Sequence, residues 1–331
     1  MSRAARSGWF IAGLALLVAL CAASVSLGVR DVSFGDIVAA LSGQADTVGE
    51  AAVVKRLPRT VLAILVGAAL ALSGAALQAI TRNPLADPGI LGISAGSSFF
   101  VVLGITLFQL SRPYSVMGVA IAGAAVAAVL VYLIGSAGRG GATPLKLALS
   151  GAAMSAALVS LTSAAILPRV DAAQSFQSWQ VGGVGGGTWD RIATVAPVLA
   201  VGALICFVCA RGMNSLALGD DLAVGLGEHV GRTRALAGVG AVVLCGAATA
   251  IAGPIGFVGL IIPHLCRLLF GPDHRWLLPF SALAGASLLV AADVVGRVVA
   301  RPDEIQVGII TAIIGAPVFI WIVRRQRVRE L

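Results

Sequence analysis

The chain has 331 residues, of which 58% are hydrophobic and 11% are charged, and its mean hydropathy is +0.98. Soluble domains contain about 45–50% apolar and about 25% charged residues, so this composition excludes a soluble protein and indicates a polytopic membrane protein. The net charge of +8 does not indicate nucleic-acid binding, because the basic residues lie at the ends of apolar segments and form no stripe on a polar face.

Ten apolar segments follow one another along the chain. A helix needs about 20 apolar residues to cross a bilayer, and most of the segments approach that length. We therefore predict an all-α membrane protein with about ten transmembrane helices in a single domain, residues 1–331. The segments are residues 9–28, 60–80, 90–110, 116–136, 145–167, 192–210, 235–252, 255–270, 276–299 and 305–323.

The first segment resembles a secretory signal, but Leu20 before Cys21 is a poor cleavage context and nine more apolar segments follow. We therefore expect it to remain as the first helix. Residues 29–55 then form the first sizeable extramembrane stretch, with an amphipathic patch at residues 34–41.

The second segment carries small residues on one side of its predicted helix. Gly67, Ala71, Gly74 and Ala75 are spaced three or four apart or lie side by side. Small residues at this spacing let the backbone of a neighbouring helix approach closely. Residues 60–80 therefore predict a helix packed tightly among others.

A polar turn, residues 82–88, interrupts the chain directly after this helix. Two prolines bound the turn, so one helix ends there and another begins in a new direction. Irregular backbone at membrane depth is tolerated only where it is buried in protein or lines a cavity. We expect Leu85, together with Asn83, to narrow the path across the membrane at the inner end of that path.

The fifth segment, residues 145–167, carries five hydroxyl side chains at helical spacings. They indicate either a polar path along one helix face or hydroxyls bonded back to their own helix or a neighbour. Both interpretations are open at this point. The residues are Ser150, Ser155, Ser160, Thr162 and Ser163.

The longest internal hydrophilic insert covers residues 211–234. Its pattern predicts two short helices separated by Gly219 and Gly227, with apolar residues between the charges. Short interfacial helices of this kind can sit in a groove of a soluble partner and pass on a rigid-body movement. The alternative is a solvated loop that only joins two spans.

An even number of spans places both termini on one side of the membrane. If that side is the cytoplasm, 14 of the 23 Lys and Arg residues lie inside. The excess of basic residues on the cytoplasmic side favours an N-in, C-in orientation.

No motif of an enzyme is present. The sequence lacks H-E-x-x-H, G-x-S-x-G and paired intramembrane carboxylates, and neither Lys55 nor Lys146 follows a glycine as in G-x-x-x-x-G-K-[ST]. The chain is therefore not a P-loop ATPase. An ion-coupled secondary transporter remains an alternative, but Asp293 is the only ionisable residue near the middle of a span.

Several strings of the sequence together resemble one family. They are RLPRT, RNPLADPGILGISAG, SLALGDDLAVGLG, GPIGFVGLIIPHLCR, DHRWLLPFSALAGASLLVAADVVGR and IQVGIITAIIGAPVFIW, and they occur in this order after residue 50. The family is that of the FecCD-type permeases, the membrane subunits of bacterial ABC importers for ferric siderophores, haem and vitamin B12.

The resemblance implies a type II ABC importer permease fold with ten helices in a bacterial cell (inner or plasma) membrane. It implies a homodimer or heterodimer of permease subunits in contact with lipid, two cytoplasmic ATP-binding subunits and an extracytoplasmic substrate-binding protein. It implies no cofactor, no metal and no nucleic acid. Residues 211–234 would be the cytoplasmic coupling insert, with ATPase contacts at Leu218, Gly219, Asp220, Asp221, Leu226 and Gly227.

Arginines at the outer ends of two segments form a second candidate site. Arg56, Arg59 and Arg297 could receive acidic residues of a docked binding protein, as in the family, because arginine forms forked bonds with carboxylates. The alternative is contact with lipid headgroups. Asp293 lies one helical turn before Arg297 and is expected to pair with it.

The function expected from the resemblance is ATP-driven import, with the chain moving an iron–siderophore complex from a binding protein to the cytoplasm. Haem and cobalamin are the alternative cargoes. ATP hydrolysis would be supplied by a separate subunit.

Overall fold

The computed structural model describes residues 3–43, 45–137, 143–168 and 179–325. All regular secondary structure in these ranges is helical. Numbered in chain order, the helices are α1 Arg3–Ser26, α2 Phe34–Leu41, α3 Val48–Thr81, α4 Ile93–Phe108, α5 Pro113–Ser136, α6 Pro144–Ile166, α7 Trp189–Val208, α8 Ala210–Leu216, α9 Asp220–Gly225, α10 Val230–Ala252, α11 Val258–Phe270, α12 His274–Val299 and α13 Val307–Arg325.

Seven helices in the described ranges are long and apolar enough to cross a membrane: α1 from Ala5, α3, α5, α6 from Leu145, α7, α10 and α12. Three shorter apolar helices are α4, α11 and α13 up to Ile322. Each of the ten predicted apolar segments overlaps one of these helices, so the prediction of an all-α polytopic membrane protein is confirmed. The number of helices that cross the membrane, and their orientation, stay predictions.

The central element is α3. It packs against α1, α2, α7, α8, α10, α11 and α12, and its side chains Leu62, Ala63 and Val66 are fully buried. A helix that is apolar on all sides is buried by neighbouring helices, which accounts for this position. A second group, α4, α5 and α6, packs together beside it, and α10 contacts α3, α4, α5 and α7 and so joins the two groups.

Small residues of α3 bring its neighbours into backbone contact. A Cβ atom at Gly67 would overlap the carbonyl oxygen of Gly285 in α12, and one at Gly74 would overlap the carbonyl oxygen of Gly259 in α11. The predicted close approach of helices to this face is therefore confirmed. The same region is tied by polar bonds, since Gln78 Nε2 donates to the Gly259 and Leu260 carbonyls at 3.2 and 3.1 Å.

The start of α3 differs from the prediction, because the helix begins at Val48 rather than near residue 60. A capping box fixes this start: the Glu50 N–H donates to Thr47 Oγ1, and the Thr47 N–H donates to the Glu50 carboxylate. Pro58 lies inside the helix, where it removes one backbone bond without ending the helix. The apolar pattern marked only the portion after that proline.

The amphipathic patch before α3 is helix α2. Ser33 and Asp36 form a second capping box at its start. The Ser33 backbone N–H, together with its hydroxyl, holds the pKa of Asp36 below its ordinary value. α2 packs against α1 and α3. The stretch predicted as extramembrane is thus largely helical, with Leu41 and Val48 separated by a short connection.

Candidate functional site

The insert at residues 211–234 contains two short helices. α9 agrees with the predicted helix after Gly219, whereas α8 begins at Ala210, earlier than predicted. Gly219 has φ of 106° and ψ of 157°, and Gly227 has φ of 81°. Residues that carry a Cβ atom rarely adopt these backbone conformations. The glycines at the two ends of α9 therefore permit the sharp turns.

Helix α9 and the residues next to it expose apolar side chains. Leu222 and Val224 are each 62% exposed, and the neighbouring Leu218 and Leu226 are also exposed, whereas Ala223 is buried. Contiguous exposed apolar side chains next to charged ones mark an interaction surface more often than solvated loop. We call these four exposed residues the α9 surface.

Asp220, the first residue of α9, is bonded to the helix bundle. Its two carboxylate oxygens accept bonds of 2.8 and 3.0 Å from the Arg234 guanidinium, and Arg82 Nη1 lies 3.6 Å from Oδ1. Arg234 also donates through Nε to the Ile80 carbonyl at 3.3 Å. The short helix is thereby joined to the end of α3 and to the start of α10.

The other part of the insert, α8, is joined to the start of α12. Asn214 Nδ2 donates to Asp273 Oδ1 at 2.7 Å, and the His274 N–H donates to Asn214 Oδ1 at 2.8 Å. Thr233 in α10 donates to the Glu228 carboxylate. These bonds fix the ends of the insert, while the α9 surface faces outward.

The predicted gate residues lie in the turn after α3. Asn83 and Leu85 are half-buried, and Asn83 Oδ1 accepts the Leu85 N–H at 2.9 Å. Asp87 in the same turn is buried and accepts the Gly89 N–H at 2.8 Å, and burial raises the pKa of Asp87 to about 6. Arg82 is the first residue of this turn and lies 3.6 Å from Asp220, so the predicted gate and the predicted coupling insert meet at one end of the molecule.

At the opposite end of α3, Arg56 points into the protein. It is buried, and its guanidinium donates to the carbonyls of Val25 and Ser26 at 2.8 and 3.0 Å and of Arg30 at 2.6 Å. These carbonyls belong to the end of α1 and the connection after it. Arg56 therefore caps the C-terminus of α1, which has a partial negative charge.

Arg59, Asp293 and Arg297 form a buried ionic cluster. Arg297 Nη2 lies 2.9 Å from Asp293 Oδ2, which confirms the predicted pair one helical turn apart. Arg59 Nη2 lies 2.7 Å from Asp293 Oδ1, and its Nη1 lies 2.7 Å from the Glu304 carboxylate. Asp293 is 1% exposed and Arg297 is 2% exposed. No local signal in the sequence predicts the contact of Arg59 with Asp293, because 234 residues separate them.

The three arginines predicted to dock a binding protein are thus engaged inside the chain. Arg297 also donates to the carbonyl and the hydroxyl of Ser24 in α1 at 3.0 and 2.7 Å. Only the Arg59 contact with Glu304 reaches the surface, since Glu304 is 41% exposed. Their docking role stays a prediction, and the contacts give them a structural role that joins α1, α3 and α12.

The two polar ends are separated by the length of α3. Residues 59 and 82 are 23 positions apart, which corresponds to about 35 Å at 1.5 Å per helical residue. This is close to the ~30 Å thickness of a hydrocarbon core. One end therefore lies at each face of a bilayer when α3 crosses it.

Hydroxyls of α6 mostly bond to their own helix. Ser160, Thr162 and Ser163 donate to the carbonyls four residues earlier at 2.9, 2.7 and 3.0 Å. Ser155 instead donates to the Gly89 carbonyl in the turn before α4 at 3.3 Å. For these four residues the bonds agree with the second of the two interpretations, hydroxyls bonded to their own or a neighbouring element.

Comparison with known proteins assigns the family. The model of the FecCD transport family matches residues 16–325. The ferric enterobactin transport system permease protein FepD of Escherichia coli (strain K12) is 43% identical over 315 residues, which are 95% of this chain and 94% of that protein. The cobalamin import system permease protein BtuC of Halobacterium salinarum (strain ATCC 700922 / JCM 11081 / NRC-1) is 46% identical over 277 residues, 83% of this chain and 74% of that protein.

A solved structure described as an inward-facing conformation of a metal-chelate type ABC transporter superposes with a TM-score of 0.82 at 32% identity, covering 96% of this chain and 99% of that one. The predicted family and fold are therefore confirmed, as is the prediction that the chain is a transport subunit and that a separate ATPase hydrolyses ATP. The chain belongs to the FecCD transport family and is a multi-pass permease subunit of an ABC importer.

Proposed function

We propose that the chain moves a ferric siderophore from an extracytoplasmic binding protein to the cytoplasm, in a bacterial cell membrane and with an N-in, C-in orientation. The observation that carries the proposal is the α9 surface, a set of exposed apolar side chains next to Asp220, which is bonded to Arg234 of α10 and lies close to Arg82 at the end of the central helix. A motor that docks there can displace the bundle. The FepD relative, whose name specifies ferric enterobactin, supports the cargo.

Two cytoplasmic ATP-binding subunits would dock on the inserts of two permease subunits. The contact residues are the set predicted from the sequence, residues 218–221 with Leu226 and Gly227. Leu218 and Leu226 supply exposed apolar area, and Gly219 and Gly227 supply the turns that present α9. Apolar side chains that fill a groove contribute most of the affinity at such interfaces.

The inner gate would be the turn at Asn83 and Leu85. Both side chains are half-buried in the single chain, so they have surface left for a second permease subunit or for the transport path. Cysteine placed at position 85 in both subunits of a homodimer should form a crosslink whose yield changes between ATP-bound and ATP-free states. A yield that is the same in both states would contradict a gate there.

On the outer side, Arg59 is the best placed of the three arginines to meet a binding protein. Its partner Glu304 is partly exposed, whereas Arg56 and Arg297 bond to backbone carbonyls of α1 and of the connection after it. An acidic residue of the binding protein would replace Glu304 on the outer edge of the guanidinium. Arg56 and Arg297 would hold the outer end in shape for that contact.

Haem and cobalamin remain alternative cargoes, since the BtuC relative is as similar in sequence as the FepD relative. An ion-coupled transporter is a weaker alternative. Its proton or ion would need a carboxylate near the middle of a span, and Asp293 is already bonded to two arginines.

Cargo and partners are tested by purifying the chain with its ATPase and binding protein and identifying the bound small molecule by mass spectrometry. We expect two ATPases and two permease subunits per complex and a ferric siderophore on the binding protein. Haem or cobalamin in its place would show that the proposed cargo is wrong. A chain that purifies without any ATPase would contradict the proposal.

A further inference from the structure

The carboxylate of Asp220 faces the helix bundle, although it belongs to the helix that carries the exposed apolar surface. Both of its oxygens are bonded to the Arg234 guanidinium, and Arg82 lies close to one of them. The next residue, Asp221, is exposed. The Asp220 side chain is 45% exposed, and it is nevertheless bonded to α10 and close to the end of α3.

The two arginines belong to the ends of two long helices. Arg82 is the C-cap of α3, with a left-handed φ of 51°. Arg234 is the fifth residue of α10 and donates to the Ile80 carbonyl at the end of α3. One carboxylate thus joins α3, α9 and α10. Forked arginine–carboxylate bonds fix orientation as well as distance, unlike a single-point contact.

The joints on either side of α9 are glycines, so the backbone alone transmits little orientation. Gly219 and Gly227 both have positive φ, and no atom lies within 4 Å of a Cβ atom built on either. In addition to the packing of the buried Ala223, the side-chain contacts of Asp220 connect α9 to the bundle with a defined orientation. Arg82 is followed immediately by Asn83, whose side chain accepts the Leu85 N–H.

We propose that Asp220 is a positioning residue that transmits movement of α9 to the turn at residues 82–88 through Arg82 and Arg234. The proposal rests on the proposed function, in which an ATPase docks on the α9 surface. It moves Asp220 from the predicted set of ATPase contacts to force transmission within the permease, while the other residues of that set make the contact with the motor.

The test uses the complete complex of permease, ATPase and binding protein in proteoliposomes, with a ferric siderophore as cargo. Three quantities are measured for each variant: ATPase copurification, ATP hydrolysis stimulated by the loaded binding protein, and cargo taken up per ATP hydrolysed. For Asp220→Asn we expect uptake per ATP to fall about tenfold, within the range of typical coupling energies. Copurification and stimulated hydrolysis should stay at the wild-type level.

Two further variants separate charge from general damage. Asp220→Glu keeps the carboxylate and should recover most of the uptake per ATP. Asp190→Asn makes the same chemical change at an exposed carboxylate in the first turn of α7 and should match the wild type in all three quantities. If Asp220→Asn fails to insert, Arg82→Gln decides, because Arg82 is 49% exposed and its loss removes one of the two contacts.

The proposal is overturned if Asp220→Asn shows wild-type uptake per ATP. If Asp220→Asn does not insert, the same result in Arg82→Gln overturns it. An equal fall in copurification, hydrolysis and uptake would also overturn it, because Asp220 would then act as an ATPase contact. Both results leave the proposed function intact. That function fails separately if the wild-type complex shows no uptake that depends on ATP.

Discussion

The two ends of α3 carry similar numbers of arginines but use them differently. At the end that we propose to be the outer one, called the outer end below, Arg56, Arg59 and Arg297 are directed inward and bond to carbonyls and to the buried Asp293. At the end with the insert, Arg82 and Arg234 hold a short helix whose apolar side chains remain exposed. The charged side chains of the outer end bond to one another and to backbone carbonyls within the protein. Those of the other end hold α9 in place while its apolar side chains stay exposed.

This difference shows that the position of an arginine at the end of an apolar segment does not determine its role. A buried guanidinium needs a carboxylate or several carbonyls, and the outer arginines find them within the chain. A half-exposed guanidinium keeps part of its hydration, so it can hold a short helix at a lower desolvation cost. The outer end should therefore respond to mutation through stability, and the insert end through coupling.

The largest expected effect is at the centre of the outer cluster. Asp293→Asn leaves Arg59 and Arg297 without their shared buried charge partner, and removing one member of a buried ion pair costs about 3–5 kcal/mol of stability. The measurement is thermal unfolding of the purified permease in detergent. The matched control is Asp31→Asn, because Asp31 is 99% exposed and pairs with Arg301 at 3.6 Å. Equal unfolding temperatures for the two variants would contradict the structural role of the cluster.

The next effect concerns the α9 surface. Leu218→Asp should leave folding unchanged because the side chain is exposed, but it places a charge in the proposed apolar contact with the ATPase. Loss of a central contact costs about 2 kcal/mol, or about 30-fold in affinity. ATPase binding to the purified permease measures this directly, and transport should fall with it. Normal binding and transport in this variant would show that the motor acts elsewhere.

A smaller effect is expected at the turn before α9. Gly219→Val forces a β-branched residue into a conformation that is almost confined to glycine, at a cost of about 1–3 kcal/mol. We expect a folded permease in which α9 is displaced, with reduced stimulation of ATP hydrolysis and reduced transport. Gly231→Val is the control, since Gly231 does not have a positive φ and the space around its Cβ position is open. Equal stimulation in both variants would argue against a defined turn.

The smallest change in stability is expected for Glu304→Gln. Arg59 keeps its bonds to Asp293, and an ion pair with a partly exposed partner contributes about 0–1 kcal/mol. Because the outer edge of Arg59 is then free, the affinity for the binding protein should rise a few-fold. Surface plasmon resonance with the permease in nanodiscs measures it. A fall in affinity would mean that Glu304, rather than Arg59, meets the binding protein.

The family, the ten apolar segments and the contacts between residues close in the chain could be predicted from the sequence. The pair of Asp293 with Arg297 was predictable because it needs only helical spacing, and the turns at Gly219 and Gly227 because glycine favours positive φ. The contacts of Arg59 with Asp293 and of Arg234 with Asp220 were not, since each depends on how separate helices pack. For the same reason, the sequence did not tell which arginines would be buried.

The start of α3 shows a second limit. The apolar pattern began after Pro58, and a proline usually marks a helix end, so the helix was expected near residue 60. The capping box at Thr47 and Glu50 was present in the sequence and would have marked the true start. A capping signal placed before a less apolar stretch is easily outweighed by the hydrophobic pattern.

The most direct test of the account is uptake of an iron-55-labelled ferric siderophore by proteoliposomes that contain the permease, its ATPase and its loaded binding protein. ATP is held constant inside while an uncoupler removes any proton gradient. The account predicts uptake that continues with the uncoupler and stops when ATP is depleted or the ATPase subunit is left out. Uptake that collapses with the uncoupler at constant ATP, or persists without the ATPase, would contradict it.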